Sequence, residues 1–578
     1  MFEKFKWFIK YYKKRYIIGI IFLLLSDLVS LYLPYITGRL IDLVYNQAIS
    51  MDEFIRIISF TVFMILLKYF LAMGWSYNVF RAYGTMEYLS RKKLMSKFLR
   101  QSQEFYEKNS TGSLMGKSTN DVQQVASLAG YGTLALVDAT ILPLSILIVS
   151  FITVDFKLTL FSVLPLTLIA YLYFKISDKI YEKSKIANQN FDSLNNNVLE
   201  DVEGVRIIRV YNILGIRSAS FNKRAEDLAE SNIELVKYQA LMQSLERVIT
   251  SITFIIAIGY GSFMIYENKL SIGQLVSFTY YLNMMIWPMF ALGDFINLKQ
   301  QASAAMDRID EILHYKEDIK DSSENRSLPA NVDVDFNDLS FKYPTSKENI
   351  LSDIDLDLKS GSSLGILGKT GSGKTTLIKQ LLDLYVIDKD SLLIDDDLAN
   401  EINFKSFKDK IGYVPQMHMI FSDTIKNNIK FSKPKATDAE VFEAIKLADF
   451  DKDIEEFPDG LDTITGEKGI SLSGGQKQRL AIARALVKDP EILILDDAMS
   501  AVDANTEKNI LDNFKKYRKD KPTIIISHRI SQVQNCDNII VLDDGKIVEE
   551  GRHEDLMAYD RWYKTQYYNQ ILGAINEE

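Results

Sequence analysis

The first three hundred residues of the chain alternate between long apolar runs and charged loops. Six of these runs are long enough to form helices that cross a bilayer, which takes about 20 mostly apolar residues. The runs cover about residues 16–36, 57–79, 132–152, 158–177, 247–266 and 272–296. The first follows a basic segment without a small-residue cleavage site, so we interpret it as a membrane span and not as a cleaved leader. The pattern predicts an all-helical, polytopic membrane domain over residues 1–310 with long polar loops.

Positive charge is distributed unevenly among the loops. The N-terminal segment and the second and fourth loops are rich in Lys and Arg, whereas the other loops are short and hold few basic residues. Basic loops stay on the cytosolic side of a membrane. We therefore expect a multi-pass protein of the cytoplasmic membrane, with both termini and the region beyond the last span in the cytosol.

Four ionisable residues lie within the predicted spans: Asp27, Lys68, Asp138 and Asp294. A carboxylate at the centre of a span costs roughly 2.5–3.5 kcal/mol, so such groups face a bundle interior or a water-filled cavity. One interpretation is that Asp138 and Asp294 contact cationic substrates. The other is that they are structural carboxylates, and the sequence leaves the role of Asp27 open as well.

The pattern changes beyond residue 310. A polar stretch at 311–330 is predicted to be a linker, and residues 331–578 read as an α/β domain. A glycine-rich loop lies there between a predicted strand and a predicted helix, with the spacing Gly368-x4-Gly373-Lys374-Thr375. In such a P-loop the backbone N–H groups surround phosphates, the lysine reaches the β- and γ-phosphates, and the threonine binds Mg²⁺. The predicted ATP-binding loop comprises Gly368, Lys369, Thr370, Gly371, Ser372, Gly373, Lys374, Thr375 and Thr376.

Two further aliphatic strands deliver polar side chains. The run 491–495 ends at Asp496 and Asp497, and the run 523–526 ends at Ser527 and His528. Parallel strands present such residues at their carboxyl ends, where ligands bind. Asp496 is therefore predicted to bind Mg²⁺ together with Thr375.

Composition narrows the class of protein. The formal net charge of −9 argues against a nucleic-acid-binding protein, which would carry a basic surface. The single cysteine, Cys536, excludes a disulfide within the chain and is typical of a protein in the reducing cytosol.

Between the P-loop and the two aspartates lies Leu472-Ser473-Gly474-Gly475-Gln476, followed by the basic run KQRLAIARAL. With this sequence the chain resembles the ATP-binding cassette (ABC) family, and the spans that precede the cassette are similar to those of its exporters. The resemblance covers essentially the whole chain. It implies a P-loop NTPase domain with a mainly parallel sheet, an antiparallel subdomain and a helical subdomain. It also implies ATP and Mg²⁺ as cofactors and a second half-transporter as partner.

The resemblance assigns roles to further residues. Tyr343 matches the aromatic residue that stacks on adenine, Gln416 matches a glutamine that contacts Mg²⁺, and His528 matches the residue that senses the γ-phosphate. Ser473, Gly474, Gly475 and Gln476 match the signature that binds ATP held by the opposite cassette, and Asp503 matches the loop that links the two sites. Residues 111–115 and 203–208 resemble the two short helices that couple the cassette to the membrane domain.

One position differs from the family pattern. The residue after the Mg²⁺-binding aspartate is normally a catalytic glutamate, and here it is Asp497. Its side chain is shorter by one methylene, roughly an ångström, and a misplaced general base costs about 100-fold in rate. We therefore expect slow hydrolysis at this chain's own P-loop, as in the weak half of heterodimeric bacterial drug exporters. A homodimer in which Asp497 slows both sites is the alternative.

The predicted function is ATP-driven export of amphipathic or cationic small molecules by alternating access. The alternatives are a homodimeric lipid flippase, a peptide exporter, and an ATP-gated channel or regulatory subunit.

Overall fold

The computed structural model describes residues 2–316, 332–344, 346–385, 391–395, 397–398, 404–466, 469 and 471–577. The chain divides into two compact units. The first contains Met1–Leu99 and Ser110–Tyr315, and the second contains Arg100–Asn109 and Lys316–Glu578. The predicted linker at 311–330 lies outside the described residues from position 317 onward.

The first unit is helical throughout its described part. Its helices are α1 (Phe2–Tyr45), α2 (Met51–Phe98), α4 (Thr111–Gly116), α5 (Val122–Ala129), α6 (Tyr131–Thr153), α7 (Phe156–Glu203), α8 (Val205–Val210), α9 (Leu214–Tyr266), α10 (Ile272–Met284) and α11 (Ile286–Leu313). A π-helical turn, Lys117–Asp121, joins α4 to α5. Helix α3 (Gln103–Lys108) belongs to the second unit.

The helices extend well beyond the apolar runs from which they were predicted. Helix α9 has 53 residues, which corresponds to roughly 80 Å of helix. This helix includes the charged residues that precede the fifth predicted span. Helices α7 and α9 pack against each other, α1 packs against α2 and α10, and α6 packs against α11.

Among the described residues, five helical segments are long and apolar enough to cross a membrane. They are Phe5–Tyr45, Met51–Phe98, Thr111–Thr153, Leu214–Tyr266 and Ile272–Leu313, and each contains one predicted span. The remaining predicted span, at 158–177, lies in α7, where Phe156–Leu168 is a shorter apolar segment. Several side chains beyond Leu168 fall outside the described residues. The prediction of a helical membrane domain is confirmed.

Side-chain caps fix where three of the long helices begin. The Ser50 hydroxyl accepts a hydrogen bond from Glu53 N, and the Asp155 carboxylate accepts one from Leu158 N. Ser271 and Gln274 form a reciprocal capping box at the start of α10. Each cap satisfies backbone N–H groups that a helix leaves unpaired at its first turn.

Helices α1 and α10 meet at glycines. A Cβ atom on Gly38 would lie 2.3 Å from Gly273 O, and one on Gly273 would lie 2.0 Å from Gly38 O. The Asp42 carboxylate accepts hydrogen bonds from Ser271 Oγ at 2.6 Å and from Gly273 N at 2.8 Å. Small residues allow helix backbones to approach closely in a membrane, and the polar contacts hold them there.

A partly buried ion pair connects the end of the helical unit to its second polar loop. Arg308 on α11 donates from Nε and Nη2 to the two carboxylate oxygens of Asp121, at 2.9 and 2.5 Å. Asp121 is buried and ends the π-helical turn. This two-pronged geometry orders both groups more tightly than a single contact would.

The second unit is α/β in its described part. Its strands are β1 (Val334–Phe341), β2 (Leu351–Leu358), β3 (Ser363–Gly368), β4 (Leu392–Ile394), β5 (Asp397–Leu398), β6 (Ile411–Val414), β7 (Ile492–Asp496), β8 (Thr523–Ile526), β9 (Asn538–Asp543) and β10 (Lys546–Gly551). Its helices after α3 are α12 (Lys374–Leu381), α13 (Phe404–Lys410), α14 (Ile425–Lys430), α15 (Asp438–Leu447), α16 (Asp451–Glu456), α17 (Gly474–Leu486), α18 (Ala504–Tyr517), α19 (Ile530–Val533), α20 (His553–Ala558) and α21 (Trp562–Glu577).

The described strands form two sheets. The larger has the order β10-β9-β3-β8-β7-β6, in which β10 alone is antiparallel to its neighbour. The smaller is antiparallel, with the order β2-β1-β4-β5. Helices α14 to α17 pack together as a helical layer. This agrees with the predicted parallel sheet, antiparallel subdomain and helical subdomain.

The close approach of α1 and α10 gives a test of the helical unit. We expect Gly273→Ala to lower the unfolding free energy by about 1–3 kcal/mol, because the added methyl overlaps the α1 backbone. Gly259→Ala on α9 is the matched control, since a Cβ there meets nothing within 4 Å. Thermal unfolding of the detergent-purified chain measures both, and equal shifts for the two variants would contradict the packing described.

Candidate nucleotide site

The order of the parallel strands brings the predicted phosphate-handling residues together. Strand β8 lies between β3 and β7, and all three run in the same direction. Their carboxyl ends therefore meet at one edge of the sheet, where ligands bind in open α/β folds. The P-loop follows β3, Asp496 ends β7, and Ser527 and His528 follow β8.

The glycines of the P-loop hold a conformation that other residues rarely adopt. Gly373 has φ +102°, and a Cβ there would lie 2.9 Å from Leu351 Cδ2. Gly368 has φ +150°, and its Cβ would lie 2.2 Å from Leu542 O. The loop can therefore curl over the start of α12 only with glycine at these positions.

The P-loop closes around its own lysine. Lys374 Nζ donates hydrogen bonds to Gly368 O at 2.9 Å and to Lys369 O at 2.7 Å. Burial lowers the pKa of this amine, and the nearby carboxylates of Asp496 and Asp497 oppose that shift. The amine is thus held over the loop that surrounds the predicted phosphate position.

Asp496 is buried at the end of β7, 1% exposed. Its Oδ1 accepts a hydrogen bond from Thr375 Oγ1 at 3.2 Å, while Oδ2 is buried without a hydrogen-bond partner among the described residues. Burial raises the pKa of this carboxyl. A carboxylate oxygen beside a threonine hydroxyl is a donor set that suits Mg²⁺, which prefers oxygen ligands.

These residues line a cavity of about 310 Å³. Among the predicted site residues, its lining contains Tyr343, Thr370, Gly371, Ser372, Gly373, Lys374, Thr375, Thr376, Gln416, Asp496, Asp497 and His528. Ile350 and Ile526 also line it, and the sequence patterns did not indicate either of them. A site of this size holds a small ligand.

Seven of the predicted residues do not line this cavity. They are Gly368, Lys369, Ser473, Gly474, Gly475, Gln476 and Asp503. Lys369 Nζ turns away to Asp543 Oδ2 at 3.2 Å. Gly368 contributes instead through its carbonyl, which accepts from Lys374.

The LSGGQ residues form the first turn of α17. Ser473 Oγ accepts from Gln476 N at 3.2 Å, and Gln476 Oε1 accepts from Ser473 N at 2.9 Å. Ser473 and Gly474 are exposed. This capped helix start does not line the chain's own P-loop cavity, and its exposed first residues lie on the surface of the cassette.

Asp503 caps the next long helix. Its Oδ1 accepts hydrogen bonds from Asn505 N and Thr506 N, each at 3.1 Å, and bonds to Thr506 hold the pKa of this carboxyl below its usual range. The residue therefore fixes the start of α18.

Asp497 follows Asp496 with a left-handed backbone. Its φ is +49°, and its N–H donates to Ile526 O at 3.0 Å. Aspartate and asparagine are the non-glycine residues that most readily adopt this conformation. The Asp497 side chain lines the cavity, as the position of the family's catalytic glutamate requires.

His528 stands opposite, after β8. Burial and the nearby Lys374 lower the pKa of its ring below the usual value of about 6.5, so it is neutral at neutral pH. Its carbonyl accepts a hydrogen bond from Gln570 Nε2 at 2.8 Å.

Tyr343 lies at the rim of the cavity. Its hydroxyl shares a hydrogen bond of 2.9 Å with Thr376 Oγ1. Its ring packs edge-to-face against Tyr385, with 5.2 Å between ring centroids, and against Phe341 at the same distance. Tyr385 is 3% exposed, and no motif in the sequence indicated that it lies behind the predicted adenine-stacking residue.

Comparison with known proteins identifies both units. Residues 16–289 match the family described as ABC transporter transmembrane region, and residues 351–500 match the family described as ABC transporter. The chain is 40% identical over its full length to "Probable multidrug resistance ABC transporter ATP-binding/permease protein YheI" of Bacillus subtilis (strain 168), of which 98% is covered. It is 34% identical over its full length to "Multidrug resistance-like ATP-binding protein MdlA" of Escherichia coli (strain K12), again with 98% covered.

The chain belongs to the ABC transporter family. A solved structure of a bacterial Atm1-family ABC exporter with ATP bound has the same fold, with a TM-score of 0.80 over 96% of this chain and 99% of that chain at 23% identity. The predicted family and the exporter fold are confirmed. This ABC transporter is a membrane protein that binds ATP and couples its hydrolysis to transport.

The short helices of the ABC transporter correct one expectation. We predicted a coupling helix at residues 111–115, but α4 (Thr111–Gly116) belongs to the helical unit. The preceding helix, α3, belongs to the cassette unit, where Gln103 N donates to Leu384 O at 3.3 Å and Tyr385 Oη donates to Glu107 Oε1. The predicted segment lies one helix after α3, because only tertiary packing shows which of the two helices, α3 or α4, belongs to the cassette unit. The other predicted segment, 203–208, overlaps α8.

The carboxylates of the transporter's spans have partners on other helices. Asp138 on α6 is 6% exposed and accepts a hydrogen bond from Trp287 Nε1 on α11 at 2.7 Å. Asp294 on α11 accepts from Tyr131 Oη on α6 at 3.0 Å. Asp27 Oδ2 on α1 is buried without a hydrogen-bond partner among the described residues. The Asp138 and Asp294 contacts both join α6 to α11.

The side chains of Lys374 and Lys369 in the P-loop point in different directions, and this difference provides a test of the site. We expect Lys374→Ala to weaken ATP binding by at least about tenfold, since it removes the buried amine held over the phosphates. Lys369→Ala should change affinity by less than about threefold, because its amine forms an exposed ion pair with Asp543. Titration of the purified transporter with a fluorescent ATP analogue compares the two. Equal losses would contradict the geometry.

Proposed function

We propose that this ABC transporter exports amphipathic or cationic small molecules, as one half of a heterodimer whose own P-loop site hydrolyses ATP slowly. The proposal rests on Asp497, which lies at the position of the family's catalytic glutamate in an otherwise complete cassette site. Two relatives named for multidrug resistance, which align over the full chain, support the cargo class.

Different residues of the site would bind different parts of the nucleotide. The P-loop N–H groups and Lys374 would hold the phosphates, and Thr375, Asp496 and Gln416 would hold Mg²⁺, which neutralises phosphate charge when bound. The ring of Tyr343 would stack on adenine, and neutral His528 would direct a ring nitrogen towards the γ-phosphate. Asp497 is left to orient the attacking water.

The location of the signature favours a two-chain site. Ser473, Gly474, Gly475 and Gln476 lie off this chain's own cavity, so they are free to complete a site whose P-loop belongs to another cassette. Asp503, which follows at the start of α18, would connect the two sites. In the proposed heterodimer this chain supplies an intact signature to a partner that carries a catalytic glutamate.

ATP binding would bring the two cassettes together, and their movement would switch the membrane helices from inward- to outward-facing. Hydrolysis at the partner's site would then reset the pair. A full switch requires ATP to favour the closed state by several kcal/mol. The basic N-terminal segment and loops support a cytosolic location for the cassette and both termini.

Asp138 is the strongest candidate for contact with a cationic cargo. It is buried between α6 and α11, and Trp287 beside it offers an indole face that suits amphipathic cations. Asp294 lies on the same pair of helices. A homodimeric lipid flippase, a peptide exporter and an ATP-gated channel remain the alternatives that the following measurements separate.

We expect the purified chain alone to hydrolyse Mg²⁺-ATP barely above the Lys374→Ala blank, and Asp497→Glu to raise the rate by about 100-fold. The longer side chain restores the reach of the general base. A phosphate-release assay measures the rates, and Asp497→Asn is the matched control that keeps the left-handed backbone without the charge. A brisk wild-type rate that Asp497→Glu leaves unchanged would favour a homodimer.

We expect Asp138→Asn to slow transport of ethidium by about tenfold, because it removes a negative charge from a site of low dielectric constant. Asparagine keeps an oxygen that accepts the Trp287 N–H, so the helices stay linked. Transport in proteoliposomes of the assembled transporter measures the effect, and Nile red, a neutral dye, should be transported at the wild-type rate. Equal loss for both dyes would assign Asp138 a structural role.

A further inference from the structure

Helix α3 is short, but it is firmly attached to the cassette. Residues 100–109 cluster with the ATP-binding unit although the chain enters them from α2 and leaves them into α4. Phe105 is fully buried, and Gln103 N donates to Leu384 O at 3.3 Å. In the chain, α3 is therefore connected directly to two helices of the other unit, α2 and α4.

The contact that distinguishes α3 is made by Tyr385. Its hydroxyl donates to Glu107 Oε1, the last acidic residue of the helix. Burial, together with the bond to Glu107, raises the pKa of the Tyr385 phenol, so the hydroxyl stays protonated and remains a donor. A hydrogen bond from a buried phenol to a carboxylate is stronger than a neutral one and fixes both groups.

The Tyr385 ring also contacts a residue that lines the nucleotide cavity. Tyr343, which lines that cavity, packs edge-to-face on Tyr385 with an interplanar angle of 79°. Phe341 contacts both rings, at 5.2 and 5.4 Å. Lys379 Nζ lies 5.5 Å from the Tyr343 ring centre and 5.9 Å from the Tyr385 ring centre. The rings therefore form one packed group in which the position of Tyr343 limits that of Tyr385.

Tyr343 also contacts the first turn of α12. Its hydroxyl bonds to Thr376 Oγ1, next to Thr375, the predicted Mg²⁺ ligand. Stacking on an adenine ring would require the Tyr343 ring to present its face to the base. Because packed aromatic rings have discrete arrangements, a turn of Tyr343 must be accommodated by Tyr385.

We propose that Tyr385 is a positioning residue that transmits occupancy of the adenine site from Tyr343 to Glu107, and so orders helix α3 when ATP binds. The inference rests on the proposed binding of ATP at Tyr343. It adds a direct connection between the nucleotide base and the membrane domain, separate from the phosphate end of the site.

Hydrogen–deuterium exchange of the full chain in nanodiscs tests the connection. We expect Mg²⁺-ATP to slow amide exchange in the peptide that contains residues 103–108 by about fivefold, and Tyr385→Phe to abolish that slowing. The P-loop peptide should remain protected by ATP in this variant, because Tyr385→Phe keeps the ring behind Tyr343.

Two further variants examine the hydrogen bond itself. Glu107→Ala should behave as Tyr385→Phe does, whereas Glu107→Gln should retain the slowing, since its amide oxygen still accepts the phenol proton. Tyr517→Phe on α18, at an exposed tyrosine, is the matched control and should behave as the wild type.

The outcomes separate this inference from the proposed function. ATP protection of the P-loop peptide without any slowing at residues 103–108 would overturn the role of Tyr385 and leave the nucleotide site intact. Slowing at residues 103–108 that survives Tyr385→Phe would also overturn it. Absence of protection at the P-loop in the wild type would overturn the ATP site and, with it, this inference.

Discussion

The nucleotide site depends on the side-by-side pairing of three parallel strands, β3, β8 and β7. Ile366 on β3 pairs with Ile526 on β8, and Ile526 pairs with Asp496 on β7. A slip of one residue in either pairing would turn the Asp496 carboxylate to the opposite face of the sheet. The register is held because these strands are apolar and buried on both faces, as a parallel sheet requires.

Buried carboxylates show how differently the two units use charge. Asp121 has both oxygens bonded by Arg308, so it is a satisfied structural group. Asp496 has one oxygen bonded by Thr375 and one without a partner among the described residues. An incompletely paired buried carboxylate destabilises a fold unless a cation completes it. The same physical rule accounts for Asp121 as a structural group and supports the proposed ligand-binding role of Asp496.

Local patterns predicted those parts of the molecule that local physics determines. Apolar runs marked five helical segments that are long and apolar enough to cross a membrane. Glycine spacing together with strand-ending aspartates predicted residues that line the cavity, including Lys374 and Asp496. The direction of Lys369 and the docking of α3 instead of residues 111–115 depend on contacts with Asp543 and Tyr385, which are distant in sequence. The great length of α9 was missed because hydropathy detects the bilayer and not the charged helix that continues beyond it.

Asp497 is subject to two physical demands that act in opposite directions. Of the eleven described non-glycine residues with positive φ, eight are aspartate, so aspartate is the residue that this chain most often places at such positions. The short side chain eases that conformation, because its carboxylate can bond the local backbone. Reach towards a bound nucleotide favours the longer glutamate. Asparagine would adopt the left-handed backbone as readily, but it would not act as a base. Glutamate would reach further towards the nucleotide, but it would strain the backbone. An increase in the hydrolysis rate of Asp497→Glu would therefore be evidence about the position of the carboxylate, because the backbone strain acts against this substitution.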